Sequence, residues 1–209
     1  MTVEREDRIA GGLLVLASLT TVLAMAHHPT HLAPGPNGLN QLVHGTMIVL
    51  VAVTGFGFAR FALQLGPTRL PVLGGAIAYA IAMAANIGAA TINGFVVPAF
   101  AGQTARDGAA QGVFLFAWDL NQALAGLAVY AMGAAFLLWS LALVRRRSWD
   151  ARALAALGIA AGLVPVALLG FGAVRMNVAG ATLVYGLQAG WVALAGLYLW
   201  SGRLAADRD

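Results

Sequence analysis

The chain has 209 residues, of which 60% are hydrophobic and only 10% are charged. Soluble domains carry about 25% charged residues, so this composition excludes a compact soluble fold and predicts one integral membrane domain over residues 1–209. The absence of cysteine excludes disulfides and thiolate ligands, and the absence of lysine excludes a Schiff-base cofactor such as retinal.

Apolar segments separated by turn-forming residues predict the first three helices. After a short charged head, residues 9–28 are apolar for long enough to span a bilayer. Ala24 and Ala26 flank Met25 as the small residues of a signal cleavage site would, but the acidic head opposes cleavage and we expect a retained first helix. The second helix is predicted over residues 41–65. The third is predicted over residues 70–97, with Pro98 beyond its end.

Three further apolar segments complete the predicted fold. After a polar loop over residues 100–111, they cover residues 112–144, 152–172 and 177–200. The first of the three is too long for one span, so its first turns are expected to project from the membrane. Pro165 is expected to kink the next helix. The predicted fold class is all-α, a polytopic transmembrane bundle of six helices.

Arginine positions predict how this bundle is oriented. Ten of the twelve arginines fall at the helix ends shared by the two termini. Because basic residues stay preferentially on the inside, we expect both termini in the cytoplasm, in a multi-pass protein of the inner (plasma) membrane. The ten are Arg5, Arg8, Arg60, Arg69, Arg145, Arg146, Arg147, Arg152, Arg203 and Arg208, and the two at the opposite ends are Arg106 and Arg175.

The basic character of the chain has the same origin. A pI near 10.3 reflects arginines at helix ends and not a nucleic-acid-binding patch, so no nucleic-acid partner is expected. The expected partner is the lipid bilayer. Assembly into a homo-oligomer or a larger membrane complex stays open.

All four histidines lie close together, where the first apolar segment ends and the second begins. His27 and His31 have i, i+4 spacing, which places both rings on one face if the turn is helical. If Pro29 breaks the helix, His28 and His31 would be the two metal ligands from this segment instead. His44 approaches from the second helix, so this junction predicts a metal site that opens away from the cytoplasm.

Other polar residues are expected at the same depth as the histidines. Asp119, on the fourth helix, is predicted either to ligate a metal ion or to orient a ligating ring. No comparable polar set is expected at the cytoplasmic end. Further polar residues predicted around the site are Asn93, Asn121, Gln122, Arg175 and Asn177. Near the middle of the membrane, Asn86 and Gln188 are expected to form hydrogen bonds between helices.

The ligand types predict the function. Three histidines with a carboxylate suit copper, zinc or iron, and a haem clamped by His28 and His44 is a variant. A second haem near the inner face is excluded, because that end has no histidine. The expected protein therefore binds a transition metal or haem, as a small membrane oxidoreductase or a metal-handling protein.

Two other functions stay open at this level. Interfacial histidines are amphipathic and can lie at headgroup depth without binding an ion. The chain would then be a metal-free carrier or sensor for a small polar ligand, or a structural subunit of a larger complex. The nucleotide-binding and hydrolase motifs with an established mechanism do not occur in the sequence, so whether the protein is an enzyme stays open.

Overall fold

The computed structural model describes residues 3–28, 38–101, 103 and 108–206, and every regular element within these ranges is a helix. Six helices are long and apolar enough to cross a membrane, which confirms the predicted all-α fold class with six spans and indicates a multi-pass membrane protein. The helices are α1 Val3–Ala26, α2 Gly38–Leu65, α3 Leu70–Thr91, α4 Val97–Ala101, α5 Gly108–Val144, α6 Trp149–Gly170, α7 Val178–Trp200 and α8 Arg203–Ala206.

The third span is longer than the prediction. A π-helical turn over Ile92–Val96 joins α3 to α4, so that one continuous span runs over Leu70–Ala101. Pro98 therefore lies inside helix and not beyond its end. The Val97 N–H donates to the carbonyl of Ile92, five residues back, as in a π-helix. This wider turn carries the chain past the proline, where a regular α-helix would clash with the proline ring.

The other helix ends differ by a few residues from the prediction. The charged head is helical, so α1 begins at Val3, and it ends at Ala26 just before the histidines. α5 begins at Gly108, earlier than expected. α6 is capped by Ser148, whose hydroxyl accepts a hydrogen bond from the backbone N–H of Ala151, and Pro165 lies inside that helix.

The six spans close into a ring. α1 packs against α2 and α7, α3 packs against α2 and α5, and α6 packs against α5 and α7. We name the two ends of this ring by their residues. At the histidine end α1 ends and α2 begins, and at the arginine end α1 begins and α2 ends.

An aromatic cluster fills the ring toward the arginine end. The rings of Phe58 and Trp139 stack at 4.8 Å, and Trp139 and Trp191 are nearly parallel at 6.5 Å. Both indole N–H groups donate to backbone carbonyls, those of Val72 and Leu154. This satisfies the polar atoms of buried tryptophans, and the cluster separates the two ends of the bundle.

The arginine end contains buried charged groups, contrary to the expectation that it would lack a polar set. The Asp7 carboxylate accepts hydrogen bonds from Arg60 Nε at 2.5 Å and from Gln64 Nε2 at 2.7 and 2.8 Å. Arg60 also pairs with Glu6 at 3.1 Å. Arg146 donates to the carbonyl of Gln64. Residues from α1, α2 and the end of α5 are thereby held together.

Candidate functional site

A cavity of about 380 Å³ lies at the histidine end, bounded by α1, α2, α3 with its π-helical turn, α5 and α7. We call it the histidine cavity. Its rim is open, since Trp118 and Asn177 are exposed. Its polar lining residues are His28, Asn40, His44, Asn86, Asn93, Asn121, Gln122, Asn177 and Tyr185, and its methionines are Met25, Met47 and Met176.

Two histidine rings meet at the wall of this cavity, one from α2 and one from just beyond the end of α1. The Nε2 atoms of His28 and His44 are 3.2 Å apart, and the ring planes are inclined at 78°. His44 is 3% exposed, while His28 is half-buried. His44 therefore meets one histidine, His28, that follows the end of α1.

The His44 ring is held in one tautomer by its own helix. Its Nδ1 lies 2.8 Å from the backbone carbonyl of Asn40. A carbonyl only accepts hydrogen bonds, so Nδ1 carries the hydrogen and the lone pair lies on Nε2. In the histidine pair, Nε2 of His44 therefore accepts, and Nε2 of His28 donates.

Asn40 also forms hydrogen bonds to the π-helical turn. The Asn40 side-chain amide donates to the carbonyls of Asn93 and Gly94, at 3.0 and 3.3 Å. Pro98 has no N–H to offer to these carbonyls, and the Asn40 amide supplies hydrogen bonds to both. The same residue thus fixes the π-helical turn through its side chain and the His44 ring through its backbone.

Gly94 allows the close approach of this turn to His44. A Cβ atom at position 94 would lie 2.5 Å from the Cβ of His44, well inside van der Waals contact. His44 therefore packs directly against the backbone of the π-helical turn. Neither Gly94 nor Pro98 carries a chemical signal in the sequence, but a proline four residues after a glycine in an apolar span is consistent with such a turn.

The structure brings together six of the predicted site residues and leaves three others apart. His28, His44, Asn93, Asn121, Gln122 and Asn177 line the histidine cavity. His27 is exposed and lies outside the lining, with its Nδ1 2.9 Å from the carbonyl of Leu23 in its own helix. Asp119 and Arg175 are also exposed and outside the lining. His31 lies outside the described residues.

Helical periodicity explains why Asp119 does not join the histidines. Trp118, Asn121, Gln122 and Ala125 share one face of α5, at i, i+3, i+4 and i+7, and all four line the cavity. Asp119 lies about 100° around the helix from Trp118. Among the described residues, no three of the types His, Cys, Asp and Glu come together as a metal-ligand group. The predicted cluster of histidines with Asp119 is therefore not formed in this part of the chain.

A smaller cavity of about 80 Å³ continues toward the middle of the bundle. We call it the inner cavity. Met47, Asn86 and Tyr185 line both cavities, and the Tyr185 hydroxyl donates to Asn86 Oδ1 at 3.0 Å. This contact joins α7 to α3, as the prediction for Asn86 required. Gln188 also lines the inner cavity, but its two amide atoms have no hydrogen-bond partner among the described residues.

Comparison of the chain with protein-family models, with curated proteins and with solved structures finds no match. The geometry of the histidine cavity is therefore the basis for assigning a function.

Proposed function

We propose that the histidine cavity binds one transition-metal ion through the Nε2 atoms of His28 and His44. The main observation in support is the distance of 3.2 Å between these two nitrogen atoms. Metal–imidazole bonds of about 2.0–2.1 Å at a tetrahedral angle place two nitrogens about 3.3 Å apart. The pair therefore needs little movement to hold an ion between its nitrogens.

The same distance favours a bare ion over a haem. Two axial histidines lie on opposite sides of a haem iron, so their nitrogens are separated by roughly 4 Å, twice a metal–nitrogen bond. The ring centroids of His28 and His44 are only 4.9 Å apart. A flat macrocycle between the rings would require the two helices to separate.

The surroundings of His44 support the proposal. Metal-ligating histidines usually donate their other ring N–H to a carbonyl or carboxylate, which orients the ring and directs the lone pair at the ion. The contact from His44 Nδ1 to the Asn40 carbonyl has this form. An ion between the rings would replace the hydrogen that the two Nε2 atoms share.

The arginine distribution supports a location and an orientation for this site. With ten of twelve arginines at the helix ends shared by the termini, the positive-inside rule favours both termini in the cytoplasm and the histidine cavity on the outer side of the plasma membrane. An outward-facing metal site with room for further ligands suits a metal-handling protein or a small membrane oxidoreductase.

A zinc titration tests the proposal. Tag-free protein in detergent, stripped of metal by a chelator, is expected to bind one zinc ion per chain. His44→Ala and His28→Ala should each abolish this binding. His27→Ala is the matched control and should bind normally, because the exposed His27 ring contacts its own helix. The proposal is wrong if the wild-type protein binds neither zinc nor copper, or if His44→Ala binds the metal fully.

A metal-free ligand site is the second candidate, and the size of the cavity favours it. Its volume of about 380 Å³ exceeds the space that one ion needs and lies within the usual range of about 300–1,000 Å³ for small-molecule pockets. Side-chain amides of Asn93, Asn121 and Gln122 line it. If zinc binding fails, a thermal-shift screen of small polar compounds is the next measurement, with Asn121→Leu as the variant expected to lose any response.

A further inference from the structure

The methionines of the chain are not spread evenly through its core. The sequence has six methionines, and all five other than Met1 line one or both of the two adjacent cavities. They are Met25 and Met176 in the histidine cavity, Met83 and Met132 in the inner cavity, and Met47 in both.

Two of these methionines have a fixed relation to the histidine pair. Met25 precedes His28 by three residues, and Met47 follows His44 by three residues. Because α1 and α2 are consecutive spans that run in opposite directions, both methionines lie on the inner side of their histidine. Within α2, three residues of helix place Met47 about 4.5 Å deeper than His44. Met25 lies in the last turn of α1, whereas His28 follows the end of that helix at Ala26. Both methionines are therefore placed deeper in the bundle than the histidine that each accompanies.

We infer that the ion bound by this site is copper(I), held by the imidazoles of His28 and His44 and by the thioethers of Met25 and Met47. This inference rests on the function proposed above and names its ion. Soft thioether ligands select copper(I), whereas imidazole alone also suits zinc and iron. Two nitrogen and two sulfur ligands complete a tetrahedral coordination shell around the ion.

The charge of the cavity agrees with this ion. Among the described residues, none that lines the histidine cavity is Asp or Glu. A divalent ion bound by neutral ligands would carry both its charges into a site within the membrane bundle, where unpaired charge is costly. A monovalent ion carries half that charge, so neutral nitrogen and sulfur ligands suit copper(I) better than zinc(II).

Methionine also fills irregular gaps in apolar cores without binding anything, and leucine variants separate these two roles. Leucine has a similar volume but cannot ligate. We compare Met25→Leu/Met47→Leu with the control Met83→Leu/Met132→Leu, whose methionines line only the inner cavity. Copper(I) affinity is measured without oxygen by competition with a chromophoric copper(I) chelator, and zinc affinity is measured in parallel.

The wild-type protein should bind one copper(I) per chain, and Met25→Leu/Met47→Leu should weaken this binding at least tenfold while zinc binding is unchanged. The control variant should bind both ions as the wild type does. Unchanged copper(I) affinity in Met25→Leu/Met47→Leu, with zinc binding intact, overturns the copper(I) inference and leaves the proposed metal site standing. Failure of the wild-type protein to bind either ion overturns both.

X-ray absorption by the copper(I)-loaded wild-type protein provides a measurement that does not depend on the variants. Sulfur scattering beside nitrogen scattering supports the thioether ligands, and nitrogen scattering without sulfur overturns them. This result decides the inference even if the leucine variants disturb the histidine pair and lose zinc as well.

Discussion

The two ends of the bundle both bury polar side chains, but they do so in opposite ways. At the arginine end, Asp7 is 2% exposed and its carboxylate accepts hydrogen bonds from Arg60 and Gln64. At the histidine end, His28 and His44 meet at the wall of an open cavity, and among the described residues neither a carboxylate nor a guanidinium lines it. The Asp7 charge is matched by Arg60 within the protein, whereas the paired histidine rings border a space that a ligand can enter.

This difference separates a structural role from a functional one. A buried ion pair contributes little net stability over an apolar replacement, but removal of one partner is costly because the other charge is left buried. The arginine end should therefore govern whether the bundle folds. The histidine end should govern what the folded bundle binds, and substitutions there should alter binding more than stability.

The largest expected effect is at Asp7. Asp7→Ala removes the buried partner of Arg60 and Gln64 and should lower the free energy of unfolding by about 3–5 kcal/mol. Thermal unfolding in detergent measures the change. Glu4→Ala is the matched control, because Glu4 pairs with Arg8 on the surface of the same helix at 2.6 Å. Exposed pairs of this spacing contribute about 0.3–0.5 kcal/mol. Equal losses in the two variants would contradict the structural role of the buried network.

The next effect is at Gly94 and concerns binding. Gly94→Ala places a methyl group 2.5 Å from the His44 Cβ, so the ring must move from its position opposite His28. Disturbing groups that orient a ligand typically costs about 10- to 100-fold in metal affinity, and we expect a loss of this size in the zinc titration. Gly45→Ala is the control, since a Cβ there meets nothing within 4 Å. Normal zinc affinity in Gly94→Ala would show that the π-helical turn does not position His44.

The sequence predicts the spans better than it predicts the site, for physical reasons visible in single residues. The lengths of the hydrophobic segments alone identify six spans, because each segment that crosses the bilayer must be long and apolar enough by itself. Which histidine joins the cavity depends on where α1 ends, and that end at Ala26 turns His28 inward and leaves His27 exposed. Asp119 could have been set aside from the sequence, since it is out of phase with Trp118 and Asn121 on α5.

Two other features depend on contacts that no local pattern reveals. Asp7 meets Arg60 and Gln64 from more than fifty positions away. Pro98 is a normal signal for a helix end, yet the third span continues past it because the Asn40 amide donates to the carbonyls of the π-helical turn. Pairings of this kind appear only when the helices are assembled.

The smallest expected effect concerns Gln188, which lies between the two ends of the bundle. Its replacement is expected to raise the stability of the protein, not to lower it. Gln188 is 1% exposed, and neither its Nε2 nor its Oε1 has a hydrogen-bond partner among the described residues. An unsatisfied buried amide costs about 1–3 kcal/mol, so Gln188→Leu should raise the unfolding free energy by about 1 kcal/mol. Asn86→Leu is the matched comparison at similar depth. It removes the hydrogen bond from Tyr185 and should lower stability by about 0.6 kcal/mol. Thermal unfolding of both variants in one detergent gives the two signs. If Gln188→Leu is instead the more destabilised variant, the Gln188 amide is satisfied in the working protein by a molecule in the inner cavity, and this cavity then belongs to the binding site.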